Sequence, residues 1–150
     1  MIDYSTLHEK VIHFPIAFLV LYPFVEIFYL IKKTELGEKL SFIFLVIGLL
    51  GIFFALFTGN MTLNKFSHLS IKELEIVNLH IDFATYSTFL VSIIFLLKIY
   101  FRRKIPNKIF IHLTIVILSI IVLILIFKVG EYGGNLEETL IKQNQQHQLK

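Results

Sequence analysis

The chain has 150 residues, 56% of them apolar, and a formal charge of +3; its mean hydropathy is +0.77. A soluble domain of this length has too little interior to hide that much apolar surface, so a bilayer is the natural solvent for the excess. Cysteine is absent, which excludes disulfides, thiolate chemistry, zinc–cysteine clusters and thioether-bound c-type haem. The basic residues cluster beside apolar runs, so the sequence pI near 9.1 reads as membrane topology and not as nucleic-acid binding.

The opening MIDYSTLHEK carries an acid and no basic n-region, unlike a cleaved signal peptide. Four apolar runs follow, over about 11–31, 40–57, 79–101 and 109–127. Each is near the roughly 20 residues a helix needs to cross a hydrocarbon core, and backbone in lipid must bond internally. The expected fold is therefore all-α: a membrane-embedded four-helix bundle with both termini on the non-cytoplasmic side. A four-span domain over 1–136 and a polar tail over 137–150 make up the chain.

Punctuation agrees. Pro15 falls in the first turn of span one, Pro23 predicts a kink in it, Gly37 breaks loop one, and Pro106 breaks loop three. Gly130, Gly133 and Gly134 end span four. In the middle loop, Ser70 with Glu73 is a capping-box pattern, which starts a surface helix that runs into span three. Asn135 with Glu138 repeats the pattern, so the tail reads either as a separate solvated helix or as disordered chain.

Loop one holds Lys32, Lys33 and Lys39; loop three and its flanks hold Lys98, Arg102, Arg103, Lys104 and Lys108. These eight face only Lys65 and Lys72 in the middle loop. The positive-inside rule then puts loops one and three in the cytoplasm, in a multi-pass protein of the cell (inner) membrane.

This topology gathers the polar features at the outer end. His8 and His13 open span one; Thr58, Gly59 and Asn60 close span two; His80 and Asp82 open span three; Glu131, Tyr132, Gly133 and Gly134 close span four. Ionisable groups at membrane depth are costly, so such a cluster marks a candidate site. Interfacial residues touching water and headgroups fit it equally. His13 and His80 form the sharpest pair: they lie at matching depth on different helices, with Ala17 and Ala84 one turn deeper on the same face. Such a pair fits axial ligation of a b-type haem, or another metal; two hydrogen-bonded histidines beside small packing residues fit as well. Gly51, Ala55 and Gly59, with Gly48 nearby, suit close helix packing or room for a cofactor. Glu26 and His112 lie at similar depth near the opposite end; either they hydrogen-bond, or Glu26 snorkels to the interface or stays protonated. His68 and His147 read as solvent-exposed.

These motifs resemble the "domain of unknown function 2231" family of four-helix integral membrane proteins. LHEKVIHFPIAF matches that family's opening motif, and FTGN, HIDFA and GEYGGNL follow in the family's order, to about Leu136. The resemblance implies family positions at His8, His13, Thr58, Gly59, His80, Gly133 and Gly134. It departs at Glu131, where relatives often carry histidine. Relatives joined to c-type cytochrome domains imply respiratory electron transfer.

Three functions fit. One is a haem b-binding electron-transfer subunit, in which His13 and His80 are ligands, His8 and Glu131 stand behind them, and a quinone or a c-type cytochrome is the partner. The second is a non-haem metal or proton site built from His8, His13, His80 and Glu131. The third is a structural or assembly subunit that docks other membrane subunits. No nucleophile elbow, P-loop or dinucleotide fingerprint points to a soluble enzyme, and four spans leave little room for alternating access.

Overall fold

The structure, a computed structural model, describes residues 4–63, 69–104 and 109–148. Four helices follow in order: α1 (Tyr4–Lys32), α2 (Glu35–Leu63), α3 (Ile71–Lys104) and α4 (Ile109–Gln148). Their apolar stretches, Thr6–Lys32, Glu35–Thr62, Ile71–Phe101 and Ile109–Leu136, have 27 to 31 residues. At about 1.5 Å per residue each exceeds a hydrocarbon core of about 30 Å.

Consecutive helices run antiparallel and close a ring in which α1 adjoins α2 and α4, and α3 adjoins α2 and α4. Helices α1 and α3 lie on the diagonal. The tightest contacts are α1 with α2 and α3 with α4, so the bundle is two packed hairpins. Its apolar centre takes Leu19, Leu45, Ile94 and Ile115, one from each helix. Large apolar side chains such as Phe24, Leu50, Phe89 and Phe127 remain exposed on the outside, the face a bilayer covers.

The α1–α2 hairpin packs through small residues. A Cβ placed on Gly48 would come within 2.5 Å of the Leu19 side chain, and one on Gly51 within 2.7 Å of the Pro15 ring. The glycine stripe is thus a track for α1. Because α1 begins at Tyr4, Pro15 lies in the helix interior instead of its first turn. The chain stays helical through Pro15 and Pro23. Gly37 is not a loop residue either. The turn is Lys33–Thr34: Lys33 takes the left-handed conformation, with φ 50°, and Thr34 Oγ1 caps the Gly37 N–H at 3.1 Å.

At α3 the capping box forms. Ser70 N–H donates to Glu73 Oε2 at 2.7 Å and Glu73 N–H to Ser70 Oγ at 3.4 Å. The second box does not: α4 runs unbroken through Gly130, Gly133 and Gly134 to Gln148. The Asn135 carbonyl accepts an ordinary helical bond from Thr139 Oγ1 at 2.8 Å. A glycine inside a helix costs only about 0.5–1 kcal/mol relative to alanine, so the helix continues through them. Pro106 and His68 lie outside the described residues. Hydroxyls in mid-span, Ser87, Thr88 and Ser92, donate to carbonyls four residues back and so need no partner from another helix.

Candidate functional site

Polar side chains gather at both ends of the bundle. At the end where α1 begins, two imidazoles turn inward. His8 of α1 rests on α2 and His80 of α3 rests on α4, each in the space left by a glycine. A Cβ on Gly59 would stand 3.1 Å from His8 Cε1, and one on Gly133 would stand 3.3 Å from His80 Cε1.

Hydrogen bonding fixes both rings. His80 Nδ1 lies 2.9 Å from the Val129 carbonyl. A carbonyl only accepts, so Nδ1 carries the proton and Nε2 keeps the lone pair in the neutral ring. His8 Nδ1 lies 3.0 Å from Thr58 Oγ1. The Thr58 hydroxyl donates its single proton to the carbonyls of Phe54 and Ala55, each 3.1 Å away. Its oxygen therefore accepts from His8, and Nε2 is again the basic nitrogen. The two rings lie on diagonal helices at the same end of the bundle. Beside His80, Phe83 stacks on Tyr132 with centroids 5.5 Å apart.

This geometry changes the expected pairing. His13 is on the exposed face of α1, with Ala17, and it is His8 that shares the bundle interior with His80. Helical phase explains it. At about 100° per residue, His8, Pro15, Leu19, Tyr22 and Glu26 form one inward stripe, and His13 stands about 140° away. That stripe was readable from the sequence; depth alone could not give it. Glu131 is also outside the pair: it is exposed and bonded to Lys128 at 2.7 Å. A Cβ on Gly134 would meet nothing within 4 Å, so Gly133 alone makes room. Among the described residues, no group of three His, Asp or Glu side chains is arranged to hold a metal ion.

The opposite end holds a buried quartet with one member from each helix. Glu26 of α1 accepts from His112 Nδ1 of α4 at 3.0 Å through Oε1, the hydrogen-bonded one of the alternatives the sequence left open. Its Oε2 accepts from Ser41 of α2 and from the Lys98 ammonium of α3, and Lys98 also donates to Ser41. Glu26 is 0% exposed, Lys98 5% and His112 20%. Tyr22 and Tyr29 put their rings 5.4 and 5.9 Å from the ammonium, and Tyr29 meets the His112 ring edge-on at 5.1 Å. Lys98 is therefore not a loop charge. Its place six residues before Lys104, among Phe95, Leu96, Leu97 and Ile99, was the signal that it lies at membrane depth.

A four-span α-helical bundle with polar sites at its two ends defines the class, that of a multi-pass membrane protein. The chain belongs to the family described as a predicted membrane protein, DUF2231, whose family model matches residues 4–140. No curated protein and no solved structure matches it.

Proposed function

We propose that this chain is a haem b-binding electron-transfer subunit of the cell membrane, with Nε2 of His8 and of His80 as the two axial ligands. The observation that carries this reading is the fixed Nδ1 of each ring. Histidine ligands are held by a hydrogen bond from the other nitrogen, which sets the tautomer and the orientation.

The donor set favours haem over a bare metal ion. A bare zinc or iron site needs three or four protein ligands, and no three His, Asp or Glu side chains among the described residues are grouped to hold one. A porphyrin supplies its own equatorial nitrogens and needs one or two axial side chains. The ligands belong to different hairpins, and the seam between hairpins is where bundle cofactors are held. Bound there, haem supplies one-electron redox chemistry. The protein's part is to present two neutral imidazoles and to exclude water with the apolar centre below them.

With Lys98 removed from the topology count, seven basic residues in and around loops one and three still face two in the middle loop. That bias supports a histidine end facing away from the cytoplasm, within reach of a c-type cytochrome or a membrane quinone. The test is the visible spectrum of the full chain purified from cells supplied with haem. A Soret band at about one haem per chain, with sharp bands on reduction, is expected. Protein saturated with added haem that shows no such band overturns the reading.

A further inference from the structure

We propose that the Glu26–Lys98–Ser41–His112 quartet is a clasp that holds the two hairpins together at one end, and that the bundle opens at the other end, where α1 and α4 part beside His8 and His80. The motion does not rest on the haem reading.

The polar bonds divide by hairpin. Glu26 and Ser41 belong to the α1–α2 hairpin, and Lys98 and His112 to the α3–α4 hairpin. Lys98 donates to Glu26 and Ser41, and His112 Nδ1 donates to Glu26, so these bonds cross the seam. Aromatic contacts cross it near the same level: Tyr29 meets His112 edge-on, and Phe42 stacks on Phe95 with centroids 6.1 Å apart. At the other end each imidazole bonds within its own hairpin, His8 to Thr58 and His80 to the Val129 carbonyl. Between the two ends, the buried hydroxyls of Ser87, Thr88 and Ser119 donate to carbonyls of their own helices.

That division makes the two ends unequal. Lipid tails are as apolar as the side chains, so membrane helices are held together by packing and hydrogen bonds and not by a hydrophobic force. Parting the quartet would strand a carboxylate and an ammonium, 0% and 5% exposed, where nothing solvates them. Parting the histidine end leaves both imidazoles and these hydroxyls with the partners they have. Inside the hairpins the contacts are close. Pro15 and Leu19 ride on Gly51 and Gly48, and the His80–Val129 bond and the Phe83–Tyr132 stack tie α3 to α4. Each hairpin therefore moves as one body.

The chain passes from one hairpin to the other between α2 and α3 at the histidine end. The α1–α4 seam, on the opposite side, is thus the one free to gape. Glu26 follows His8 by 18 residues, a length of about 27 Å along the helix. A tilt of about 10° at the clasp then parts the far end by about 5 Å. Such a gap is a lateral entrance from the lipid to the histidine pair, suited to an apolar, planar ligand.

The chain has no cysteine, so spin labels go only where they are placed. The test is double electron–electron resonance on the full chain, stripped of haem and held in lipid nanodiscs. One label pair, Lys10→Cys with Phe127→Cys, reads the histidine end, and a second, Ile31→Cys with Phe110→Cys, reads the quartet end. All four positions are exposed and outside both sites. The quartet-end pair is expected to give one narrow distance, and the histidine-end pair a broad distribution with a longer component. Glu26→Leu with Lys98→Met removes both charges and the bonds across the seam, and is expected to broaden the quartet-end distribution as well. A histidine-end pair as narrow as the quartet-end pair overturns the proposal. So does a quartet-end pair that stays narrow without Glu26 and Lys98. The wild-type comparison decides even if the variant does not fold.

Discussion

His80 Nδ1 sits 2.9 Å from the carbonyl oxygen of Val129, so α4 decides which nitrogen α3 offers to the interior of the bundle. His8 and Thr58 do the same for α1 and α2 at 3.0 Å. On the proposed haem reading, substitution of either imidazole removes an axial ligand, whereas His13 lies on the exposed face of α1. His8→Ala and His80→Ala are each expected to lose most of the bound haem, and His13→Ala to keep it. Pyridine haemochrome quantitation on the three purified variants checks this.

The glycines beside the two rings give a graded series. A methyl at Gly59 or Gly133 would press on an imidazole at 3.1 or 3.3 Å, and one at Gly134 would meet nothing within 4 Å. Gly59→Ala and Gly133→Ala are expected to weaken haem binding severalfold. Gly134→Ala is expected to leave it unchanged and to stabilise the helix by about 0.5–1 kcal/mol. Haem titration with a thermal melt on each variant reads both effects.

Packing of α1 on α2 sets a second series. A Cβ at Gly51 meets the Pro15 ring at 2.7 Å, and one at Gly48 meets Cδ2 and Cγ of Leu19 at 2.5 and 2.7 Å. The proline ring is rigid, and Leu19 is held in the packed centre, so neither neighbour yields freely. Gly48→Ala and Gly51→Ala are therefore each expected to cost about 1–3 kcal/mol in reversible unfolding from mixed micelles.

How much of this was legible depended on what each signal measures. Hydropathy measures depth, so the spans, the Ser70–Glu73 cap and the Glu26–His112 contact could be read from residue types. Orientation about the helix axis comes from the inward stripe, and a reading by depth alone chose His13 where phase selects His8. The Val129 carbonyl had no side-chain signal, because backbone acceptors are the same at every position. Lys98 counts as a loop charge until Glu26 and Ser41 are placed opposite it. The glycines of span four suggest an end to the helix, yet the helix continues past them.

The quartet makes a prediction of its own about stability. Glu26→Gln leaves the Lys98 ammonium buried at 5% exposure without its counter-charge, and breaking a buried pair in this way costs about 3–5 kcal/mol. The double variant Glu26→Gln with Lys98→Met removes both charges and is expected to recover most of that loss. A double-mutant cycle in which the two losses simply add would contradict the pairing.

Electron paramagnetic resonance of the oxidised, haem-loaded full chain tests the central claim most directly, because the ferric signal reports both axial ligands at once. The account predicts a low-spin signal of two neutral imidazoles in the wild type, which is lost in His8→Ala, with any haem that remains bound there high-spin, and which survives in His13→Ala. A high-spin wild type, or a low-spin signal that persists without the His8 ring, would contradict it.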